Sequence, residues 1–461
     1  MRSSPASVHA QSRGIAVRAW CRSVSDTVGP PFRRACARQV SAGLLPVEAG
    51  GRSLPNLGGH LPALDGVRGL AILMVLVFHF VGTVAPTNWI EHTIFVVTNY
   101  GSYGVELFFV LSGFLITGIL YDGANDPHYF RNFYMRRVLR VFPLYYGVLA
   151  LVFFVAPLIA SLRGPALDYL VDRQAWAWLY AVNIYIAREG SWSFSYLDHF
   201  WSLSVEEHFY LFWPLVVFAL ARRPRALIAV CLTTALCAVL ARVAWSLMGL
   251  NWWTAYTLTP FRMDGLALGA FLAVMARQPK GLERLAQALP LAVTAGGALL
   301  ALSFLWTRLI PQEGLEMVLP VRAALVLLLL ACFVLWALIA PERSVTSRLL
   351  CSRFMGVLGT YSYGLYVYHH FISYYLTSNG TDVALAGWLG SHGAAVALQA
   401  TLGASASFAL AYLSYELFEK RVLRLKRWFD TPGKRRRPRA SMSPPSTGIA
   451  SHDDPLTKSV A

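Results

Sequence analysis

Charge is scarce in this chain: only 14% of its 461 residues are Asp, Glu, Lys or Arg, while 56% are hydrophobic. A soluble domain of this length could not cover itself with so little polar surface. Acidic residues are scarcer still, 24 against 40 Lys and Arg. The six cysteines (Cys21, Cys36, Cys231, Cys237, Cys332 and Cys351) lie in the tails or in apolar segments without metal-ligand spacing, so neither a disulfide framework nor a zinc site is implied. The first sixty residues have no apolar core of the secretory-signal kind. Their Arg-, Ser- and Ala-rich composition overlaps that of organelle transit peptides, but residues 1–59 read better as a disordered basic extension, or as the product of a start codon assigned too early. No soluble domain of appreciable size is evident.

What is abundant is apolar sequence in membrane-length pieces. Stretches of about 20 residues, enough to cross a bilayer, occur near 63–85, 101–121, 141–162, 203–221, 226–248, 256–276, 287–306, 320–340, 359–378 and 395–418. The expected fold is therefore all-α, a polytopic membrane bundle of about ten transmembrane helices over residues 60–425, with both termini cytoplasmic. Residues 174–187 are an ambiguous further apolar segment. On this topology the inside loops hold thirteen basic residues, among them Arg131, Arg136, Arg137 and Arg140, and the outside loops hold four, Arg163, Arg173, Arg188 and Arg308. That asymmetry is what the positive-inside rule requires.

The net charge of +16 resides mostly in the tails: residues 1–60 carry eight arginines against Asp26 and Glu48, and residues 419–461 carry eleven Lys and Arg against four acids. Because these tails flank membrane spans, they suit an anionic leaflet rather than nucleic acid. Residues 426–461, with "GKRRRPRASMSPPS", read as a disordered basic tail.

Against this background, ionisable groups inside spans are functional candidates. Arg68 and His79 stand on the first span with ten residues between them. Eleven steps of about 100° return them to one helix face, about 16 Å apart along it, so they line one cavity at two depths. Alternatively, Arg68 snorkels to the headgroups and His79 is satisfied by a neighbouring helix. Glu106 opens the second span, Glu206, Glu207 and His208 open the fourth, and Arg262 and Asp264 lie early in the sixth. His79 and these carboxylates are expected to converge in the outer half of the membrane. Glu206 and Glu207 diverge by about 100°, so only one is expected in a narrow cleft. By the same argument at most one of His369 and His370, in the middle of span nine, faces His79. Arg136, Arg137 and Arg140, just before span three, are positive-inside residues or, with Arg68, a cradle for the phosphates of a cytoplasmic donor.

The ordered strings "GVELFFVLSGFLI", "RRVLRVFPLYY", "WSLSVEEHFYLFWP", "RMDGLALGAFLA" and "YSYGLYVYHH", together with the Arg-x10-His spacing between Leu61 and Phe80, resemble the bacterial acyltransferase family 3, integral membrane O-acyltransferases of carbohydrates and other exported or secondary metabolites. The likeness runs over about residues 60–425. It implies a ten-helix domain in the bacterial cytoplasmic (inner) membrane that takes an acyl group, commonly acetyl, from acyl-CoA on the cytoplasmic side and delivers it to a hydroxyl, often of a glycan. It assigns Arg68 and His79 to the family's essential pair, Glu206 and Glu207 to its paired glutamates, and Arg136, Arg137 and Arg140 to its basic motif. His208 departs from the family's usual glutamine, which leaves the acceptor site open to tuning. No C-terminal hydrolase-like domain is expected here.

O-acyl transfer requires a base near the acceptor hydroxyl, stabilisation of the thioester oxyanion, and apposition of donor and acceptor. His79 is the expected base or, alternatively, a transient acyl carrier. Glu206 or Glu207 orients its imidazole or assists the hydroxyl, and Arg68 binds CoA phosphates or guides the thioester inward. Acyl-CoA is thus a co-substrate; no permanently bound cofactor and no metal are expected. The competing class is a multi-span transporter or flippase, which buried charges also suit, although no inverted repeat is visible.

Overall fold

The computed structural model describes residues 57, 59–160, 163–310 and 315–429. The two expected disordered tails lie almost wholly outside that set. The described chain does run a little past the expected boundary at 425, as a 3-10 segment Arg424–Phe429.

Within the described residues, ten α-helices have sixteen residues or more: α1 Pro62–Val77, α2 Tyr103–Asp122, α3 Tyr129–Ala150, α4 Phe200–Leu220, α5 Pro224–Leu247, α6 Thr259–Ala276, α7 Gly281–Leu309, α8 Leu315–Ile339, α9 Arg353–Ser378 and α10 His392–Ser414. Helices suit a bilayer because each satisfies its own backbone polar groups. Nine helical stretches among the described residues are long and apolar enough to cross a membrane, and the protein is a multi-pass membrane protein. The expected span that is not among these nine is the ninth, which corresponds to α9. It has the length, at 26 residues, but Tyr, Ser and His dilute its apolar character. Its polar side chains Ser362, His369 and Ser373 are buried inside the bundle.

Two boundaries differ from expectation. Span three begins as a helix at Tyr129, not near 141, and α3 continues through a π-turn and a 3-10 turn to Leu158. Nothing between Tyr129 and Val141 breaks a helix, and Tyr129 and Phe133 supply a buried apolar face. Arg131, Arg136, Arg137 and Arg140 are consequently helical residues, not loop charges. The ambiguous segment 174–187 is not a span. It is split into Gln174–Trp178 and Val182–Glu189 by Tyr180, whose φ of 54° is left-handed and whose ring stacks 4.1 Å from that of Tyr145.

Small residues set the closest approaches, as membrane helix packing favours. At the α2–α6 crossing, a Cβ on Gly113 would collide with the Leu266 carbonyl and one on Gly269 with the Val110 carbonyl. At the α1–α9 crossing, Gly69 meets the Met355 carbonyl and Gly359 the Asp65 carbonyl. Polar side chains add cross-links: Trp213 Nε1 donates to Thr117 Oγ1 at 2.8 Å, and Tyr129 Oη to the Pro214 carbonyl at 3.1 Å. Gly269→Val should therefore separate α2 from α6 and cost about 1–3 kcal/mol, the usual range for overpacking. The check is a lower thermal midpoint of the detergent-solubilised chain; an unchanged midpoint would show that the crossing has slack.

Candidate active site

Five helices converge on one cavity of about 110 Å³. α1 contributes Arg68, α3 Arg137 and Arg140, α4 Glu206, Glu207 and Tyr210, α2 Phe108 and Ser112, and α9 Tyr363 and Tyr366. The polarity follows from local sequence. The start of α3 interleaves arginines with aromatics, so an apolar face packs while the basic face turns inward. The first half of α4 lays Ser202, Glu206 and Tyr210 on one face at four-residue spacing.

Three of the cavity's five charged side chains, Arg68, Arg137 and Glu206, are tethered. Arg68 donates to Asp65 Oδ1 at 3.1 Å, and Asp65 Oδ2 pairs with His60 at 2.5 Å. Glu206 accepts from Ser112 Oγ at 2.7 Å and from Tyr210 Oη at 3.0 Å. The guanidinium of Arg137 stands 5.2 Å from the centre of the Tyr210 ring, within cation–π range. Glu207 also lines the cavity but has no hydrogen-bond partner among the described residues. Both glutamates thus face the same space, against the expectation of one. The cavity is broad enough to span the 100° between them. Arg136 is not in its lining.

His79 does not line this cavity, so Arg68 and His79 are not two depths of one space, and the carboxylates gather with Arg68 instead of with His79. A π-turn over Phe78–Gly82 begins only one residue before His79, so phase is nearly kept; about 16 Å of helix places the histidine beyond the reach of this cavity. Its ring lies 4.7 Å from that of His369 and 5.1 Å from that of His370. Both adjacent histidines therefore flank it, because a ring inserted between them can touch two side chains diverging by 100°. His199 completes the group, 4.7 Å from His370 and 5.5 Å from His369 between ring centres.

Tyr366 stands between the cavity and the histidine cluster. It lines the arginine cavity, its ring is 5.5 Å from His369 and 5.6 Å from His199, and its hydroxyl bonds Ser202 Oγ at 2.5 Å and the His199 carbonyl at 3.0 Å. Next to His199, in the turn before α4, Asp198 accepts from the Phe194 amide at 2.7 Å, and burial pushes its carboxyl up to about 7.

Three expected cavity residues serve elsewhere. Glu106 pairs with Arg262, joining α2 to α6, and Asp264 pairs with Arg242, joining α6 to α5. All four are buried and none lines the cavity. These charges lie deep, but their partners are each other. His208 Nδ1 bonds Thr259 Oγ1 at 2.7 Å, a link from α4 to α6. The sequence reading missed His199, Tyr366, Ser112 and Arg242. His199 immediately precedes the α4 motif, and Arg242 is a lone charge well inside an apolar run, so both were visible as polar anomalies.

Residues 61–416, which hold all ten helices, match the family model described as an acyltransferase domain. The chain belongs to this acyltransferase family. Among curated proteins, family likeness includes "Putative peptidoglycan O-acetyltransferase YrhL" of Bacillus subtilis (strain 168), 31% identical over 322 residues, covering 68% of this chain and 48% of the relative. "Peptidoglycan O-acetyltransferase OatA" of Listeria monocytogenes serovar 1/2a is 26% identical over 325 residues, covering 68% of this chain and 49% of that protein. The chain thus spans about half the length of these relatives. No solved structure matches it.

Proposed function

We propose that this chain is an O-acyltransferase of the bacterial cytoplasmic membrane, with cytoplasmic termini, that moves an acyl group from acyl-CoA to a hydroxyl of a glycan or another exported metabolite. The relatives' names favour acetyl as the group and a peptidoglycan-like glycan as the acceptor. The observation that carries this reading is the meeting of Arg68, Arg137 and Arg140 with Glu206 and Glu207 around a buried cavity, one tyrosine away from a histidine cluster. Guanidinium groups suit phosphate and oxyanion. A space of about 110 Å³ suits the acyl-thioester tip of a donor whose nucleotide stays outside, since whole small-molecule sites occupy about 300–1,000 Å³.

In this scheme the arginines hold the donor and stabilise the thioester oxyanion as charge develops. His79, its Nδ1–H committed to the Val75 carbonyl at 3.0 Å, presents Nε2 to the acceptor hydroxyl. Glu207, lacking a hydrogen-bond partner, is better placed than the tethered Glu206 to assist. The test is transfer of label from acetyl-CoA to soluble glycan fragments by the purified full chain in nanodiscs, read as an alkali-labile ester. Uptake of substrate into vesicles without ester formation would favour a transporter instead. Arg68→Lys keeps the charge but loses the planar fork. It should raise the KM for acetyl-CoA about tenfold, the equivalent of one charge-assisted hydrogen bond. An unchanged KM would remove Arg68 from the donor site.

A further inference from the structure

The histidine cluster has a feature that acyl transfer does not require. Each of its four rings gives one nitrogen to a backbone carbonyl. His79 Nδ1 is 3.0 Å from the Val75 carbonyl, His369 Nδ1 2.7 Å from that of Tyr366, His370 Nε2 3.2 Å from that of Ser195, and His199 Nε2 3.1 Å from that of Val367. A carbonyl only accepts, so these nitrogens carry the hydrogens, and in a neutral imidazole the other nitrogen is a bare lone pair. Of those others, His369 Nε2, His370 Nδ1 and His199 Nδ1 are buried without a partner. The ligand atoms of His79, His369 and His370 all lie within 4.8 Å of one another. Two of the three orphaned lone pairs, on His369 Nε2 and His370 Nδ1, thus belong to rings that cluster with His79 and have no donor to satisfy them, which is costly unless something electrophilic sits there.

We propose that His79, His369 and His370 form a binding site for a divalent first-row transition metal, zinc in the first instance. Imidazole nitrogens suit zinc, copper, iron and nickel, and the absence of carboxylate or water-rich ligation disfavours calcium and magnesium. A backbone carbonyl fixing the tautomer of each ligand is the outer-shell arrangement that metal-bound histidines use. Zinc–nitrogen bonds of about 2.0–2.1 Å in a tetrahedron put ligand atoms about 3.4 Å apart, so each ring needs to close by less than about 1 Å. His369 and His370 can both take part because they bracket the ion from one helix while His79 approaches from the π-turn after α1. Three neutral ligands leave the ion its full charge and a fourth position open, which favours hydroxide or an alkoxide there. Only the last point rests on the proposed function: the fourth ligand would then be the acceptor hydroxyl, and His79, its Nε2 lone pair spent on the ion, would serve as a ligand in place of the direct base.

The experiment uses the tag-free full chain in detergent, stripped with chelator, loaded with zinc chloride and desalted. Elemental analysis should give about one zinc per chain, and at least tenfold less in the His369→Ala/His370→Ala double variant. X-ray absorption at the zinc edge of the wild-type chain needs no variant to fold. It should show nitrogen or oxygen neighbours at about 2.0–2.1 Å with the outer-shell signature of several imidazoles. Zinc retention no higher than in the double variant, or a first shell without imidazole, overturns the site. A chain that holds no zinc yet transfers acetyl at full rate overturns the metal and leaves the acyltransferase reading standing. One zinc per chain with no transfer to any acceptor does the reverse.

Discussion

His79→Ala is expected to abolish acyl transfer, with a loss of about 10²–10⁴ if the imidazole supplies proton transfer to the reacting hydroxyl. The expectation rests on placement. The ring is held by the Val75 carbonyl, packed edge-on against His369 and His370, and lies beyond Tyr366 from the arginine cavity. Alanine removes the one imidazole that the π-turn after α1 brings to the cluster and leaves the two from α9 facing a void. The measurement is transfer rate in membranes at matched protein level, paired with a thermal midpoint that shows the bundle intact. Near-normal transfer would mean that the chemistry takes place in the arginine cavity alone.

Arg262→Met is expected to be the most damaging single change to folding. Arg262 pairs with Glu106 where both are almost completely buried, and its guanidinium lies 5.2–5.8 Å from the ring centres of Tyr256, Trp201 and Phe109. Removing one partner of a buried pair strands the other charge, at about 3–5 kcal/mol. The double variant Glu106→Gln/Arg262→Met removes both charges and should recover most of that loss, since replacing a buried pair by neutral groups is often close to neutral. The readout is the fraction of monodisperse protein after heating in detergent. Because the pair lies outside the cavity lining, the recovered double variant should also keep the wild-type KM for acetyl-CoA. A double variant as unstable as the single one would mean that packing on the aromatic rings, not charge, is what Arg262 contributes.

The bundle was legible in the sequence because lipid imposes a length and a composition that nine of the ten expected segments meet. The residues that gather at its centre were legible as types, since arginine, glutamate and histidine are costly there. Their grouping was not. Phase counting put Arg68 and His79 on one face, but a shared face about 16 Å long does not make one cavity, and the size of the cavity is set by side chains from other helices. The reading of Glu106, Arg262 and Asp264 as cavity residues failed for a different reason. A deep charge announces itself in sequence, but whether it faces a substrate or an opposite charge on another helix depends on tertiary packing. The α3 boundary was misjudged because arginines were scored as loop residues, although the aromatic side chains between them give that helix a face to bury. His199 escaped notice because the aromatic stretch around it also fits an interfacial belt.

The backbone-to-backbone seam at Gly69 and Gly359 has a mechanical consequence. α1 carries Arg68 and leads into the π-turn that holds His79, and α9 carries Tyr363, Tyr366, His369 and His370, so the seam ties into one rigid plank a substantial part of both the arginine cavity and the histidine cluster. Neither helix can slide or turn against the other without separating main chains that lack side chains to cushion them. The span from the arginine end to the histidine end is thereby fixed like the jaws of a locked caliper. Any journey made during a catalytic cycle belongs to the small molecules and to side chains such as Tyr366, and the plank itself stays still.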